Sequence, residues 1–448
     1  MSALRPTGAQ IAAADPAASA WVSANAGSGK TRVLTQRVAR LLLAGTRPER
    51  ILCVTYTKAA AAEMQGRLFT LLGGWALADD AVLGAELAAL EGRETPETDP
   101  DRLADARRLF AEALETPGGL RIQTIHAFCD ALLRRFPLEA GVSPRFEVMD
   151  ERASRELLMR LRADLAAEAE RDGTGPFDGV AGRLNEDQID ALIGAVLSKR
   201  REFSLPGWEE RLDALFGEAA RESPETLAAE HLAELDRDRL EAHAALLHRL
   251  GGKADRALAA AIDAAVADWQ AGAALRAAAT LSGAMFTTAG TLRGPRGFPV
   301  NAVKAEDPGA EALTGFLRDW ASRCRDRLAA AETAGRTRDL HRFAHALLDR
   351  YAAEKAARGL LDFDDLVSRA AALLTEAEMR GWVLYKLDAG LAHVLVDEAQ
   401  DTSPAQWRIV ESLAEEFTAG QGAGPSRRTL FVVGDEKQSI YSFQGAEP

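Results

Sequence analysis

The sequence has few cysteines, no long apolar run and no signal-peptide start, and each absence narrows the possibilities. Its three cysteines, Cys53, Cys129 and Cys324, are widely spaced and match no metal-binding pattern. This spacing argues against a disulfide framework or an iron–sulfur cluster and favours a reducing compartment. No segment approaches the length of a membrane span. We therefore expect a cytoplasmic protein that does not bind a membrane.

An excess of positive charge is also missing. The net charge is −13, from 54 Lys and Arg against 67 Asp and Glu, and the acids are concentrated in stretches such as 79–101 and 209–238. Net charge does not decide a local site, because affinity for nucleic acid depends on how many basic side chains reach phosphates. A narrow nucleic-acid groove with few phosphate contacts is compatible with this composition, and its binding should be weak and salt-sensitive.

The most informative segment is residues 24–31, with the sequence ANAGSGKT. Gly27 and Gly29 allow a tight turn that aims several backbone N–H groups at one anion. Lys30 brings positive charge to the outer phosphates of a nucleotide, and Thr31 offers a hydroxyl to Mg²⁺. The segment predicts a site for a nucleoside triphosphate with Mg²⁺.

The context of this loop supports the same interpretation. Residues 20–23 are typical of a short strand, and residues 33–42 carry apolar side chains at helical spacing. The general pattern has a glycine at the position of Ala24, so the prediction depends on the second half of the loop and on its flanks.

A second acidic element lies far downstream, in the sequence VLVDEAQD at 394–401. Asp397 follows an apolar strand of the buried type and can hold Mg²⁺ through water. Glu398 is placed to orient or deprotonate an attacking water molecule. The two motifs together predict hydrolysis of the nucleotide.

Three further segments, 51–67, 122–128 and 431–446, each consist of an apolar strand followed by polar residues. With these motifs the chain resembles the UvrD/Rep-like superfamily-one DNA helicases. More narrowly, it resembles the AddA-type helicase–nuclease subunits of bacterial double-strand-break repair. The matched motifs span residues 10–446 in the order of the family.

The pattern along the chain predicts an α/β fold with a large helical insertion. Residues 1–150 alternate short strands with helices, which is typical of a parallel sheet covered on both faces. Residues 151–360 show helix-face spacing in an Ala-, Arg-, Glu- and Leu-rich background, and 361–448 return to the sheet. The resemblance implies that the sheet is a RecA-like P-loop NTPase domain.

The resemblance also implies roles for residues that match the family's motifs. Gln10 matches an adenine-reading glutamine, whose amide can pair with both the donor and the acceptor on adenine. Arg32 and Arg67 match nucleotide-contacting arginines, and Gln438 matches the residue that senses the γ-phosphate. The expected ATP-binding residues are Gln10, Ala26, Gly27, Ser28, Gly29, Lys30, Thr31, Arg32 and Arg67. The expected catalytic residues are Lys30, Asp397, Glu398 and Gln438, with Thr31 and Asp397 on Mg²⁺.

In the family, the loops after these strands hold single-stranded DNA, with bases stacked on aromatic rings. Stacking contributes about 1–3 kcal/mol per base and tolerates any sequence. The expected DNA-binding residues are Thr55, Tyr56, Thr124, His126, Tyr441 and Phe443. Phe128 instead fits helical core spacing with Ile125 and Leu132.

Two other features have simpler interpretations. Arg37 does not match a nucleotide contact, and a long arginine on a helix is most often solvated. The acids at 362–365 precede apolar residues, so they more plausibly cap a helix than bind a metal.

Taken together, the motifs and the resemblance imply the motor part of an ATP-dependent 3′-to-5′ DNA helicase. It would act on single-stranded DNA and duplex DNA ends with an AddB-like subunit in recombinational repair. The sequence ends at Pro448, before the arginines of a second RecA-like domain, so we expect this chain alone to hydrolyse ATP slowly at most. Two alternatives stay open at this point: a UvrD/Rep-type helicase without a nuclease, and a non-hydrolysing DNA-binding or scaffold module.

Overall fold

The computed structural model describes residues 6–25, 29–172, 175–296, 298–388, 390–418, 428–435 and 437. The chain divides into two compact units. The sheet unit consists of Met1–Arg155 and Glu354–Pro448, and the helical unit consists of Glu156–Ala353.

The elements alternate between strands and helices in the first part of the chain. In chain order they are α1 (Gly8–Ala13), β1 (Ala20–Ser23), α2 (Lys30–Leu43), β2 (Ile51–Thr55), α3 (Lys58–Leu77), α4 (Asp80–Glu91), α5 (Pro100–Glu115), β3 (Arg121–Thr124), α6 (Ile125–Arg135) and β4 (Glu147–Val148).

In the part of the chain that the structure describes, the elements between β4 and β5 are mostly helices. They are α7 (Glu151–Asp172), α8 (Asp178–Ala181), α9 (Glu186–Ser198), α10 (Arg200–Phe203), α11 (Trp208–Phe216), α12 (Pro224–Ala233), α13 (Arg237–Leu250), α14 (Lys253–Gln270), α15 (Ala274–Ala284), α16 (Asn301–Glu306) and α17 (Ala310–Arg358).

The last part of the chain returns to the sheet unit. Its elements are β5 (Leu360–Leu361), α18 (Phe363–Thr375), α19 (Ala377–Asp388), β6 (His393–Val396), α20 (Pro404–Thr418) and β7 (Thr429–Gly434). Short 3-10 helices occupy Pro48–Arg50, Gly217–Ala220 and Ala399–Asp401.

The sheet unit is built on a five-stranded parallel sheet with the strand order β1-β7-β6-β2-β3. The register pairs Ser23 with Gly434 and Thr55 with Thr124. The carboxyl ends of the strands therefore meet at one edge of the sheet. Open parallel sheets bind their ligands at this edge. The predicted α/β fold with a parallel sheet is confirmed.

Side chains on successive strand residues enter two different hydrophobic cores, because strand side chains alternate between the faces of a sheet. Leu395 and Phe431 pack in one core with side chains of α2, α3, α4 and α5. Val394, Val396 and Val432 pack in the other core with α6, α18, α19 and α20. Phe128 is buried in this second core, in agreement with its helical core spacing.

The acids at 362–365 cap α18. The side chain of Asp362 accepts a hydrogen bond from the backbone N–H of Asp365, and Asp365 accepts one from the N–H of Asp362. The buried ammonium of Lys355 pairs with both carboxylates. The structure thus places these acids in a capping box, as the sequence predicts.

Arg37 corrects the expectation of a solvated arginine, because its side chain is fully buried in the middle of α2. Its guanidinium donates hydrogen bonds to the carbonyl oxygens of Ala13, Asp15 and Ala18 and to the hydroxyl of Thr429. The segment between α1 and β1 folds over α2, and its backbone carbonyls supply acceptors that a surface arginine would find in water.

The helical unit has its own hydrophobic core, formed mainly by α12 to α17. Trp320 is fully buried there, and its indole N–H donates to the carbonyl of His231 at 2.8 Å. Leu157, Leu161 and Leu165 of α7 are also buried, at the spacing of one helix face.

None of the helices in the described part of the chain is both long and apolar enough to span a bilayer. All three cysteines are buried and unpaired. Burial raises the pKa of the Cys324 thiol to about 11, which keeps this side chain in the unreactive thiol form.

Candidate nucleotide and DNA site

The predicted catalytic residues that the structure describes lie together at the carboxyl edge of the sheet. Lys30 is the first residue of α2, and Asp397 and Glu398 directly follow β6. The Lys30 Nζ atom lies 3.6 Å from Oε2 of Glu398, although 367 residues separate the two in the sequence. The fold therefore unites the two motifs that the sequence offers separately.

The start of α2 has the backbone geometry of a phosphate-binding turn. Gly29 precedes the helix with φ of 90°, a conformation that favours glycine. Because glycine has no side chain, Gly29 cannot cap the first N–H groups of α2, and such groups bind phosphate at helix N-termini. Thr31 follows in the first turn of the helix.

Gln10 lies beside this turn. A Cβ atom added to Gly29 would be 3.4 Å from Nε2 of Gln10. The amide oxygen of Gln10 accepts a hydrogen bond from the N–H of Thr7 and completes a capping box on α1. The nitrogen end of the amide thus faces the phosphate turn, and the position of Gln10 agrees with a role in nucleotide binding.

Asp397 is buried at the end of β6. Its backbone N–H donates to the carbonyl of Val54 at 2.9 Å, and its Oδ1 atom accepts from the N–H of Glu398 at 3.0 Å. Burial, reinforced by the negative charge of Glu398, raises the pKa of Asp397 to about 6. A cation bound here would favour the ionised form, and a carboxylate is a ligand that Mg²⁺ prefers.

Glu398 adopts an unusual backbone conformation, with φ of 54° and ψ of 46°. In the part of the chain that the structure describes, it is the only residue other than glycine with positive φ. Such conformations cost free energy and cluster at functional sites. The turn places the Glu398 side chain towards Lys30.

Among the residues that the structure describes, no group of three or more His, Cys, Asp or Glu side chains is arranged to bind a metal ion. The predicted Mg²⁺ ligands, Thr31 in the first turn of α2 and Asp397 after β6, would supply two oxygen atoms. Mg²⁺ commonly binds through one or two protein ligands together with phosphate oxygens and water, so two protein oxygens are sufficient.

The candidate DNA-binding threonines have internal hydrogen bonds. The hydroxyl of Thr55 donates to the carbonyl of Thr57, and the hydroxyl of Thr124 accepts from the N–H of Ala127 and caps α6. Both residues are buried at the ends of their strands. DNA binding by their hydroxyls stays a prediction.

Tyr56, His126 and Phe363 are aromatic residues near the same edge. Tyr56 lines one small cavity with Asp397. The ring of His126 contacts that of Phe363 edge-to-face, with 5.3 Å between the centroids, and Phe363 is 46% exposed. Burial, partly offset by the charge of Asp364, lowers the pKa of His126, which favours the neutral ring.

Sequence reasoning missed Phe363, because its neighbours were interpreted only as a helix cap. The signal that could have found it is an aromatic residue among acids at the start of an amphipathic helix.

The two candidate arginines lie on different helices. Arg32 belongs to the first turn of α2, and Arg67 lies on α3, where it pairs with Glu63 four residues earlier. The remaining candidates, Ala26, Gly27, Ser28, Gln438, Tyr441 and Phe443, lie outside the described residues.

The strand order, the glycine turn at the start of α2 and the adjacent acids after β6 define a P-loop nucleotide-binding domain. The sequence matches the UvrD/REP helicase N-terminal domain family over residues 6–448, and the chain belongs to this family. The resemblance based on the motifs is confirmed.

Curated relatives that are similar to this chain are named as subunits of an ATP-dependent helicase/nuclease. The protein from Levilactobacillus brevis is 29% identical over 95% of this chain, which corresponds to 34% of the relative. The protein from Anoxybacillus flavithermus is 28% identical over 95% of this chain and 35% of the relative. A relative from Desulfitobacterium hafniense is 28% identical over 99% of this chain and 32% of the relative. The chain thus spans about a third of the length of these relatives.

Proposed function

We propose that the chain is the motor part of an ATP-dependent DNA helicase that couples ATP hydrolysis to 3′-to-5′ movement along single-stranded DNA. The observation that carries this proposal is the convergence of Lys30, Asp397 and Glu398 in a chain of the UvrD/REP helicase family. The helicase/nuclease name of the relatives supports a place in double-strand-break repair. The proposed partners are duplex DNA ends and an AddB-like subunit.

In the proposed mechanism, Gly29 and the first turn of α2 bind the phosphates of ATP, and the amide of Gln10 contacts adenine. Thr31 and Asp397 would hold Mg²⁺, whose charge would offset that of the phosphates. The Lys30 ammonium, which lies against Glu398 in this structure, would bind the outer phosphates. Glu398 would orient the attacking water and accept its proton.

The proposed DNA path follows the strand ends. Tyr56, His126 and Phe363 present aromatic rings at the carboxyl edge of the sheet, where bases can stack. Tyr441 and Phe443 belong to the same proposal through their motif. The helical residues from about 151 to 360 are proposed to be an insertion into the nucleotide-binding domain, which would span 1–150 and 361–448.

The test is ATP hydrolysis by the product of the complete gene, measured with and without single-stranded DNA. We expect strong stimulation by DNA in the wild type, and a rate about 10²–10⁴-fold lower in Glu398→Gln, because the variant lacks the general base. Glu398→Gln should still bind ATP, whereas Lys30→Ala should lose nucleotide affinity. The absence of hydrolysis that responds to DNA would reject the proposed motor and favour a non-hydrolysing binding or scaffold role instead.

A further inference from the structure

A second buried side chain contacts the proposed water-orienting carboxylate. Gln400 lies in the 3-10 helix after Glu398 and is only 5% exposed. Its amide nitrogen donates to Oε2 of Glu398 at 2.6 Å and lies 3.4 Å from Oδ2 of Asp401. Its amide oxygen accepts from the backbone N–H of Asp435 at 2.9 Å. One side chain therefore joins Glu398 to the residue that follows β7.

The end of β7 is shaped to admit this amide. A Cβ atom on Gly434 would lie 2.9 Å from Oε1 of Gln400 and 3.2 Å from the Cβ atom of Ala399. Such distances are shorter than ordinary contacts, so a larger residue at 434 would displace the amide. A glycine is required at position 434 because the side chains of Gln400 and Ala399 lie so close to its backbone.

The chemistry of the contact selects glutamine. An amide donates through nitrogen and accepts through oxygen, whereas a carboxylate can only accept and a thioether does neither well. Gln400 uses its donor on a carboxylate and its acceptor on a backbone N–H. Replacement of this buried group would leave at least one of these partners unsatisfied.

The contacts also distinguish the two oxygens of Glu398. Gln400 and Lys30 both approach Oε2. These two contacts therefore fix the carboxylate through Oε2. A rotation of the carboxylate would exchange the two oxygens, and the hydrogen bond from Gln400 opposes that rotation.

We propose that Gln400 is a positioning residue that fixes the Glu398 carboxylate and links it to Asp435 at the end of β7. The proposal rests on the proposed function, in which Glu398 orients the attacking water and DNA binds at the carboxyl edge of the sheet. A shift of Asp435 at that edge would, through Gln400, reorient Glu398. The hydrogen-bonded chain from Asp435 to Gln400 to Glu398 would thus transmit DNA binding to the hydrolysis step.

The experiment uses the product of the complete gene with three variants. Gln400→Met preserves the side-chain length and removes both hydrogen bonds. Gln400→Glu can still accept from Asp435 but places two carboxylates in contact. Gln406→Met is the matched control, because Gln406 is equally buried and its amide oxygen accepts from the N–H of Ser403 at the start of α20.

The measurements are kcat and KM for ATP with and without saturating single-stranded DNA. We expect both Gln400 variants to lose at least tenfold in DNA-stimulated kcat while KM changes less than threefold, and to show a smaller stimulation ratio. The control should keep the wild-type ratio. A loss of thermal stability with an unchanged ratio in the Gln400 variants would overturn the proposal, because that result indicates a purely structural role.

If neither Gln400 variant folds, Gly434→Ala provides the same test. The added methyl group would displace the amide of Gln400, although residue 400 itself is not substituted. A reduced stimulation ratio in Gly434→Ala supports the proposal, and a wild-type ratio overturns it. Absence of DNA stimulation in the wild type would reject the proposed function itself, an outcome that the first measurement distinguishes.

Discussion

The two ends of the same parallel sheet use polar residues in opposite ways. At the amino end, Arg37 of α2, His393 of β6 and Thr429 of β7 form a buried network. The Thr429 hydroxyl accepts from Arg37 at 3.0 Å and lies 2.7 Å from Nδ1 of His393. At the carboxyl end, Lys30 begins α2, Asp397 follows β6 and Asp435 follows β7. These residues lie around the half-exposed carboxylate of Glu398.

The polar residues at the amino end contribute to stability, whereas those at the carboxyl end have features that are typical of ligand-binding sites. The two Nη groups of Arg37 donate to acceptors within the protein, mainly backbone carbonyls, so these hydrogen bonds need no ligand. At the carboxyl end, a buried acid has a raised pKa and a glutamate has a strained backbone. Sites that are less than optimal for stability are typical of ligand binding.

The largest effect is expected at the amino end. Arg37→Met should lower the free energy of unfolding by about 3–5 kcal/mol, because it leaves several buried acceptors without donors. Urea unfolding followed by tryptophan fluorescence measures the change.

Arg40→Met is the matched control for this prediction. Arg40 also lies on α2, but it is only partly buried and donates to the carbonyl of Ile11. We expect a loss of about 1 kcal/mol. Equal losses in the two variants would contradict the special role of the Arg37 network.

A smaller effect is expected from His393, and it depends on pH. Burial, followed by the charges of Arg37 and Arg50, lowers the pKa of His393 to about 4. The unfolded chain takes up this proton near pH 6.5, so the stability contributed by the neutral ring is complete above that pH. It is lost as the pH falls towards 4, by about 2 kcal/mol between pH 6.5 and 5.

His393→Gln should reduce this acid-dependent loss, which unfolding experiments from pH 7 to 5 would detect. The exposed His248, which pairs with Asp263 in the helical unit, offers a control through His248→Gln. Parallel pH curves for the wild type and His393→Gln would reject the assignment.

The smallest expected effect is an increase in the free energy of unfolding, whereas the two arginine variants lower it. Asp397→Asn should stabilise the nucleotide-free protein by about 1–2 kcal/mol at pH 8. The raised pKa of Asp397 means that its stability contribution is complete below about pH 4 and is lost as the pH rises through 6. The gain should therefore vanish near pH 4, and Mg²⁺-dependent ATP binding should weaken. A destabilised variant at pH 8 would contradict the comparison.

Local patterns predicted where the strand before Asp397 and the helix that begins at Lys30 lie. The apolar run before Asp397 and the glycine turn before Lys30 are short-range signals, because strand burial and turn geometry are set by adjacent residues. The pairing of these motifs in one site was predicted from their chemistry. The strained backbone of Glu398 and the contact between Gln400 and Asp435 were not, since they depend on how β6 and β7 end side by side.

The amino end was not predictable in the same way. Nothing near Arg37 in the sequence reveals that the segment between α1 and β1 crosses α2 and brings three carbonyl oxygens to one guanidinium. Likewise, the contact of His126 with Phe363 joins positions more than 200 residues apart. Long-range contacts of this kind follow from the fold and leave no periodic signal.

The strand order also determines when each strand can pair as the chain is synthesised. Among the strands that the structure describes, β1 pairs only with β7, and β6 pairs only with β7 and β2. The ribosome makes β1 more than 400 residues before β7, and the helical unit emerges between them. The phosphate turn is consequently translated early, but its strand must wait for β7, as slow long-range pairing requires. A chain interrupted before residue 429 would contain Lys30 and the preceding strand β1, but it would lack β7, the strand with which β1 pairs.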